Sequence, residues 1–187
     1  MTDLIHLFPR LDGMKVIAID GRSGSGKTTL SSMLAKELNA SVVHMDDFFL
    51  PLSLRSGERL SEPGGNVHYE RFMEEVLPFI RSGKPFSYRP FDCTSMDYSD
   101  DQAVIDKSVV IVEGAYSLHP LFGHYYDFSI FLDIDEENQI RRIEERSGKE
   151  KAEVFRSRWI PLEEQYIKAF SIMEKADLIL SGDVVSL

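Results

Sequence analysis

The chain predicts an α/β fold, a parallel sheet covered by helices. Strand-like apolar runs alternate with helix-like stretches along most of its 187 residues. A glycine-rich loop joins the first apolar run to the first helical stretch. The length fits one domain, 1–187, and no internal repeat or low-complexity segment divides it.

Lys15 to Asp20 (KVIAID) reads as the first strand. Thr28 to Leu38 follows as a helix, with Leu30, Leu34 and Leu38 on one stripe. Ser41 to Met45 is a second strand. From Asp46 to Asn66 the chain is loop-like, holding Pro51, Pro63 and the pair Gly64-Gly65. Val67 to Arg81 is expected to be helical, burying Phe72, Val76, Phe79 and Ile80, and Gly83 to Asp106 to be irregular. Ser108 to Val112 has the β-branched character of a fully buried parallel strand. Asp127 to Ile134 is a further strand. Asp135 can cap the next helix, with Glu136 and Glu137 in its first turn, where the helix dipole favours them. That helix runs to about Arg146 and ends near Gly148. Lys149 to Lys175 is helical with an interruption at Pro161, and Asp177 to Ser181 is the last strand.

Gly21-Arg22-Ser23-Gly24-Ser25-Gly26-Lys27-Thr28 fits G-x-x-x-x-G-K-[ST] at every fixed position. Glycines let successive N–H groups turn inward toward phosphate oxygens, and the following helix aims its positive end at the same anion. Gly21, Ser23, Gly24, Ser25, Gly26, Lys27, Thr28 and Thr29 are therefore the candidate nucleotide-binding residues. Lys27 can reach the β- and γ-phosphates of ATP, and the Thr28 hydroxyl can ligate Mg²⁺.

Hydrophobic residues make up 43% and charged residues 28%, the balance of a globular protein. Acidic side chains outnumber basic ones, 31 to 21, for a formal charge of −10. Such a charge repels nucleic-acid backbones and anionic membranes, so neither is an expected partner. Cys93 is the single cysteine, which excludes an internal disulfide and a multi-cysteine zinc site and suits a reducing compartment. Met1 to Arg10 holds no apolar run of signal-peptide length, and no segment approaches the roughly 20 apolar residues of a membrane helix. A cytoplasmic location is expected.

A phosphate loop serves kinases, switches and motors alike, so acids at other strand ends must discriminate. Asp46 and Asp47 lie just beyond the second strand, where alternation would send them to opposite faces. Asp46 suits a base that accepts the proton of an attacking hydroxyl, while Asp47 suits a turn cap. Glu113, at the end of Val109-Val110-Ile111-Val112, could hold a water on Mg²⁺ or simply pair with a basic side chain. Arg142 and Arg146 share one helix face. With Arg141, Arg156 and Arg158 they form either a lid, about 141–158, closing over a triphosphate, or a solvated face paired with Glu137, Glu144, Glu145 and Glu150.

Six segments carry a resemblance to the uridine kinase-type phosphate-loop kinases, a group that also holds phosphoribulokinase, pantothenate kinase and nicotinamide riboside kinase. They are GRSGSGKTT (Gly21 to Thr29), HMDDFF (His44 to Phe49), NVHYERF (Asn66 to Phe72), YRPFD (Tyr88 to Asp92), VVIVEGAYSL (Val109 to Leu118) and IRRIEER (Ile140 to Arg146). The resemblance implies a three-layer P-loop NTPase fold, with a five-stranded parallel sheet, helices on both faces and a helical lid. It implies Asp46 as the catalytic carboxylate, Glu113 as the magnesium-side acid, Arg142 and Arg146 in the lid, and His68, Tyr88 and Arg89 in the acceptor pocket.

Two departures bear on the acceptor. His68 stands where uridine kinases usually show an Asp that grips the ribose diol. Tyr88-Arg89-Pro90-Phe91-Asp92-Cys93 lacks the usual Ser-His stretch. Core packing by Tyr88 and Phe91, a hydrogen-bonding His68 and a turn at Asp92 are the plain alternatives, and Trp159, Tyr125 and Tyr126 read as packing residues. The expected function is ATP-dependent phosphorylation of a hydroxyl on a small metabolite, with a nucleoside such as uridine or cytidine the acceptor the resemblance implies. A nucleotide-dependent switch remains an alternative. So does a nucleoside monophosphate kinase using Arg55, Arg59, Arg71 or Arg89, and a homo-oligomer is left open.

Overall fold

A computed structural model describes residues 7–185, so the opening stretch read for a leader lies outside the described residues as far as position 6. After a short helix, α1 (Phe8–Leu11), the chain enters β1 (Val16–Gly21), whose six residues are all buried. Then come α2 (Lys27–Leu38) and β2 (Ser41–His44). Two short helices, α3 (Gly57–Ser61) and α4 (Tyr69–Glu75), precede four brief strands: β3 (Phe86–Tyr88), β4 (Phe91–Asp92), β5 (Asp97–Tyr98) and β6 (Ala103–Ile105). The remaining sheet strands are β7 (Val110–Glu113), β8 (Phe128–Asp133) and β9 (Leu178–Ser181). Between β8 and β9 lie α5 (Glu136–Ser147), α6 (Lys149–Val154), a π-helical turn Phe155–Trp159, α7 (Ile160–Phe170) and α8 (Ile172–Lys175).

The main sheet has five strands in the order β2-β7-β1-β8-β9, each neighbouring pair parallel. Strand alternation divides its core into two halves. Ile17, Ile19, Ile111, Ile130 and Leu132 meet Leu30 and Leu34 of α2 on one face. Val16, Ala18, Val112 and Phe131 meet Phe72 of α4 and Tyr166 and Ile167 of α7 on the other. Helices thus cover both faces, as the alternating pattern predicts. Phe72 is fully buried, with ring centroids 4.4 Å from Phe122, 5.3 Å from Phe48 and 5.7 Å from Tyr125. Phe72→Ala is expected to cost about 3–5 kcal/mol, read as a lowered urea midpoint, because that aromatic cluster cannot collapse onto an alanine.

The helix expected over Val67 to Arg81 spans only Tyr69–Glu75, and Phe79 is 45% exposed instead of buried. Pro78 supplies the reason: it has no N–H to donate and its ring excludes the preceding residue from the helical region. The stretch expected to be irregular instead forms two antiparallel ribbons, β3 with β6 and β4 with β5. Strands of two or three residues are too short to show a period in sequence. The loop-like Asp46 to Asn66 contains α3, capped by Ser56, whose Oγ accepts from Arg59 N at 3.1 Å.

Asp135 does cap α5, accepting from Asn138 N at 2.9 Å. The break expected at Pro161 takes the form of the π turn just before it. Pro161 itself sits in the first turn of α7, where its missing N–H is harmless. Among the described residues no helix is long and apolar enough to cross a membrane.

Candidate active site

The phosphate loop leaves the buried end of β1 and packs against β8. A Cβ on Gly21 would lie 2.2 Å from the carbonyl oxygen of Leu132, so no other residue fits there. Gly26 has φ 98°, a left-handed turn that lets α2 begin at once with Lys27. The first helical bond runs from Leu30 N to Gly26 O at 3.0 Å, leaving the N–H groups of Gly26, Lys27, Thr28 and Thr29 without helical acceptors. Among the described residues the N–H of Gly24 has no acceptor either. Lys27 is folded over the loop, its Nζ donating to Gly21 O and Arg22 O, both at 2.9 Å. Unpaired amides, a helix N-terminus and an ammonium group make a donor set that fits the phosphates of a nucleotide.

The two predicted metal-side residues meet where the start of α2 faces the end of β7. Thr28 Oγ1 lies 3.2 and 3.4 Å from the two oxygens of Glu113, which is 4% exposed. The basic partner envisaged for Glu113 is a histidine: His44 Nδ1 sits 2.6 Å from Glu113 Oε1, and that bond raises the imidazole pKa above its usual value. A hydroxyl beside a carboxylate suits Mg²⁺, a hard ion that takes few protein oxygens and keeps its waters. Among the described residues no group of three or more His, Cys, Asp or Glu is placed to cage a metal.

Asp46 and Asp47 occupy a 3₁₀ turn, Met45–Phe48, where the strand alternation invoked for them does not apply. They still diverge, since successive 3₁₀ residues are turned by about a third of a circle. Asp46 is open to solvent yet walled by protein, as at the floor of a cleft. That enclosure raises its pKa, opposed by the charge of Lys27 and reinforced by Glu113 and Asp47. Asp47, taken as a turn cap, instead accepts the Tyr88 hydroxyl at 2.8 Å.

The three predicted acceptor residues divide, Tyr88 lying in the core while His68 and Arg89 both meet Tyr98. Tyr88 is 2% exposed, its ring 4.9 Å from Phe48, so it is a core residue that orients Asp47. His68 hydrogen-bonds the Tyr98 hydroxyl through Nδ1 and lines a cavity of about 240 Å³ with Leu50, Leu54, Ser56, Glu58 and Glu62. Arg89 is exposed, its guanidinium 5.5 Å from the Tyr98 ring. Nothing in the sequence marks Tyr98, which sits in a two-residue strand.

Within the predicted lid, Arg142 reaches the phosphate loop. Its Nη1 approaches Gly24 O at 3.5 Å and Gly182 O at 3.2 Å, and its Nη2 pairs with Asp183 at 2.8 Å. Arg146 is exposed one turn further on, 6.0 Å from the Phe155 ring. Arg141 and Arg156 pair with Glu145 and Glu153, both at 3.6 Å, so that part of the cluster is a solvated face. The monophosphate reading loses two of its four arginines. Arg59 chelates Glu70 at 2.7 and 2.9 Å, and Arg71 chelates Glu75 at 2.8 and 2.7 Å.

Two buried acids went unread in the sequence. Asp20 accepts from Gly21 N at 2.7 Å, Leu118 N at 2.9 Å, Tyr116 N at 3.1 Å and the Tyr166 hydroxyl at 2.8 Å. Burial raises its pKa against those bonds. An acid ending an apolar strand was the available signal. Glu163 accepts from the N–H of Ser23 at 3.0 Å and from its hydroxyl. It lies in a charged helix whose sequence resembles any solvated one.

No family model matches the chain. It is 28% identical over 181 residues to a uridine kinase of Staphylococcus epidermidis, covering 88% of this chain and 86% of that protein. With a uridine kinase of Staphylococcus aureus (strain JH9) it shares 30% identity over 151 residues, 73% of this chain and 70% of that protein. A solved structure of a possible uridine kinase from Bacillus stearothermophilus superposes with a TM-score of 0.69 at 19% identity, covering 96% and 98% of the two chains. A putative fructose transport system kinase from Silicibacter sp. TM1040 gives 0.64 at 24%, covering 95% of each. Both structures share the fold. With its phosphate loop, strand-end acids and identity to the Staphylococcus aureus enzyme, the chain belongs to the uridine kinase family of phosphate-loop kinases.

Proposed function

We propose that this single-domain protein is a cytoplasmic enzyme that transfers the γ-phosphoryl group of ATP to a hydroxyl of a small metabolite, a nucleoside such as uridine or cytidine. The observation that carries it is the convergence of Lys27, Thr28, Asp46 and Glu113 around one cleft at the carboxyl ends of β1, β2 and β7. The curated relatives named uridine kinase support the nucleoside. Bound ATP and Mg²⁺ would supply the transferable group and a divalent charge beside it.

Asp46 accepts the proton of the acceptor hydroxyl, for which its raised pKa suits it. Lys27 neutralises charge building on the transferring phosphoryl oxygens. Thr28 and Glu113 hold the magnesium side, and Arg142 and Arg146 serve the lid. His68 and Arg89 face the acceptor through their shared contact with Tyr98, while Tyr88 acts on it through Asp47.

A coupled ADP-release assay across nucleosides, sugars and vitamin precursors tests the assignment. Pyrimidine nucleosides are expected to stimulate ADP release at least about tenfold over the acceptor-free rate, since positioning is the main catalytic resource in phosphoryl transfer. Stimulation confined to sugars or vitamin precursors would move the acceptor. No stimulation by any acceptor would overturn the kinase reading.

A further inference from the structure

The phosphate loop already holds a carboxyl group, and it comes from the chain itself. Glu163, 5% exposed, accepts from both the backbone N–H and the hydroxyl of Ser23. Burial raises the Glu163 pKa, and the Lys27 ammonium is the largest charge opposing that rise. A group bonded to a loop amide and drawn to the loop lysine has the two attributes of a bound phosphate oxygen. Ser23 precedes the first turn of α2, and Lys27, whose charge acts on Glu163, is the residue that reaches the β- and γ-phosphates in such loops.

The helix that supplies Glu163 grips this end of the loop at two further points. Glu164 pairs with Arg22, which also binds Asp133 through Nε at 2.7 Å, and the Tyr166 hydroxyl donates to Asp20 at 2.8 Å. Asp20 near the end of β1 and Arg22 and Ser23 of the loop are thus all held by one helix. The same helix begins directly after the π turn that carries Arg156, Arg158 and Trp159.

We propose that Glu163 is a positioning residue that occupies the terminal-phosphate side of the loop and makes the protein distinguish a nucleoside triphosphate from a diphosphate. The proposal rests on the nucleotide-binding reading above. A γ-phosphate and the Glu163 carboxylate are like charges competing for the same Ser23 donors in a water-poor site, so they cannot share it without cost. A triphosphate displaces the carboxylate. The displacement releases one of the three points at which α7 grips the loop, the one nearest the arginine-bearing turn. A diphosphate, lacking the third group, leaves Glu163 on Ser23.

Calorimetry on the wild type and Glu163→Gln, with magnesium and either the β,γ-imido analogue of ATP or ADP, tests this. Removing the charge while keeping the side chain's shape is expected to tighten the triphosphate analogue roughly tenfold, with ADP changed by less than about threefold. Weaker or unchanged triphosphate binding would make Glu163 a permanent strut of the loop and overturn the proposal, as would equal tightening of both nucleotides. Trp159, the single tryptophan, gives a readout that needs no variant. The triphosphate analogue should alter its emission in the wild-type protein and ADP should not; matched responses overturn the proposal. Wild-type protein that binds neither nucleotide overturns the kinase reading as well, so the two failures are distinguishable.

Discussion

Replacing Lys27 with alanine is expected to lower acceptor-dependent ADP release by at least about a thousandfold, the upper range for loss of one preorganised donor. Lys27 is 9% exposed and its ammonium is held by two loop carbonyls, so it is positioned before any nucleotide arrives and need not reorganise during transfer. Neither arginine that touches the loop can replace it. Arg22 is committed to Asp133 and Glu164, and Arg142 to Asp183 and the carbonyls behind the loop. The change also removes the charge that opposes protonation of Asp46 and Glu163 by burial, so both carboxyls rise further. Steady-state turnover with saturating MgATP reads the effect, and circular dichroism checks the fold. Turnover above a tenth of the wild type would remove Lys27 from the mechanism.

Asp46→Asn separates binding from chemistry. The side chain keeps its shape and loses its ability to take a proton, so transfer should fall by about 10²–10⁴-fold, the usual range for a general base. Nucleotide affinity should change little, because the loop amides and Lys27 are untouched. The pH profile gives an independent check. A base works only when ionised, so wild-type turnover should fall as pH drops through the raised pKa of Asp46, and that limb should be missing from the variant. Turnover near the wild-type rate in Asp46→Asn would refute the assigned base.

These expectations rest unequally on sequence and structure. Lys27 and Thr28 were legible because their places are fixed by spacing within one strand–loop–helix unit. Asp46 and Glu113 were legible as strand-end acids, although the strand geometry assumed for Asp46 was replaced by a 3₁₀ turn. Tyr88, read toward the acceptor, is buried and donates its hydroxyl to Asp47. A tyrosine in a short strand looks the same in sequence whichever way it faces. The helix over Val67 to Arg81 failed for a local reason that was present in the sequence, the proline at position 78.

By itself the sequence determined the order along the chain of the five sheet strands and of the longer helices, the phosphate loop and the acids that could serve it. Each of these is written in local periodicity or in a short fixed spacing. Only the tertiary structure decided which groups meet. Thr28 and Glu113 are 85 residues apart in the chain, Ser23 and Glu163 are 140 apart, and Asp20 and Tyr166 are 146 apart. Such pairings follow from sheet order and from the seating of α7 against the loop. These are set by the burial of two apolar faces at once, which no local window of sequence contains.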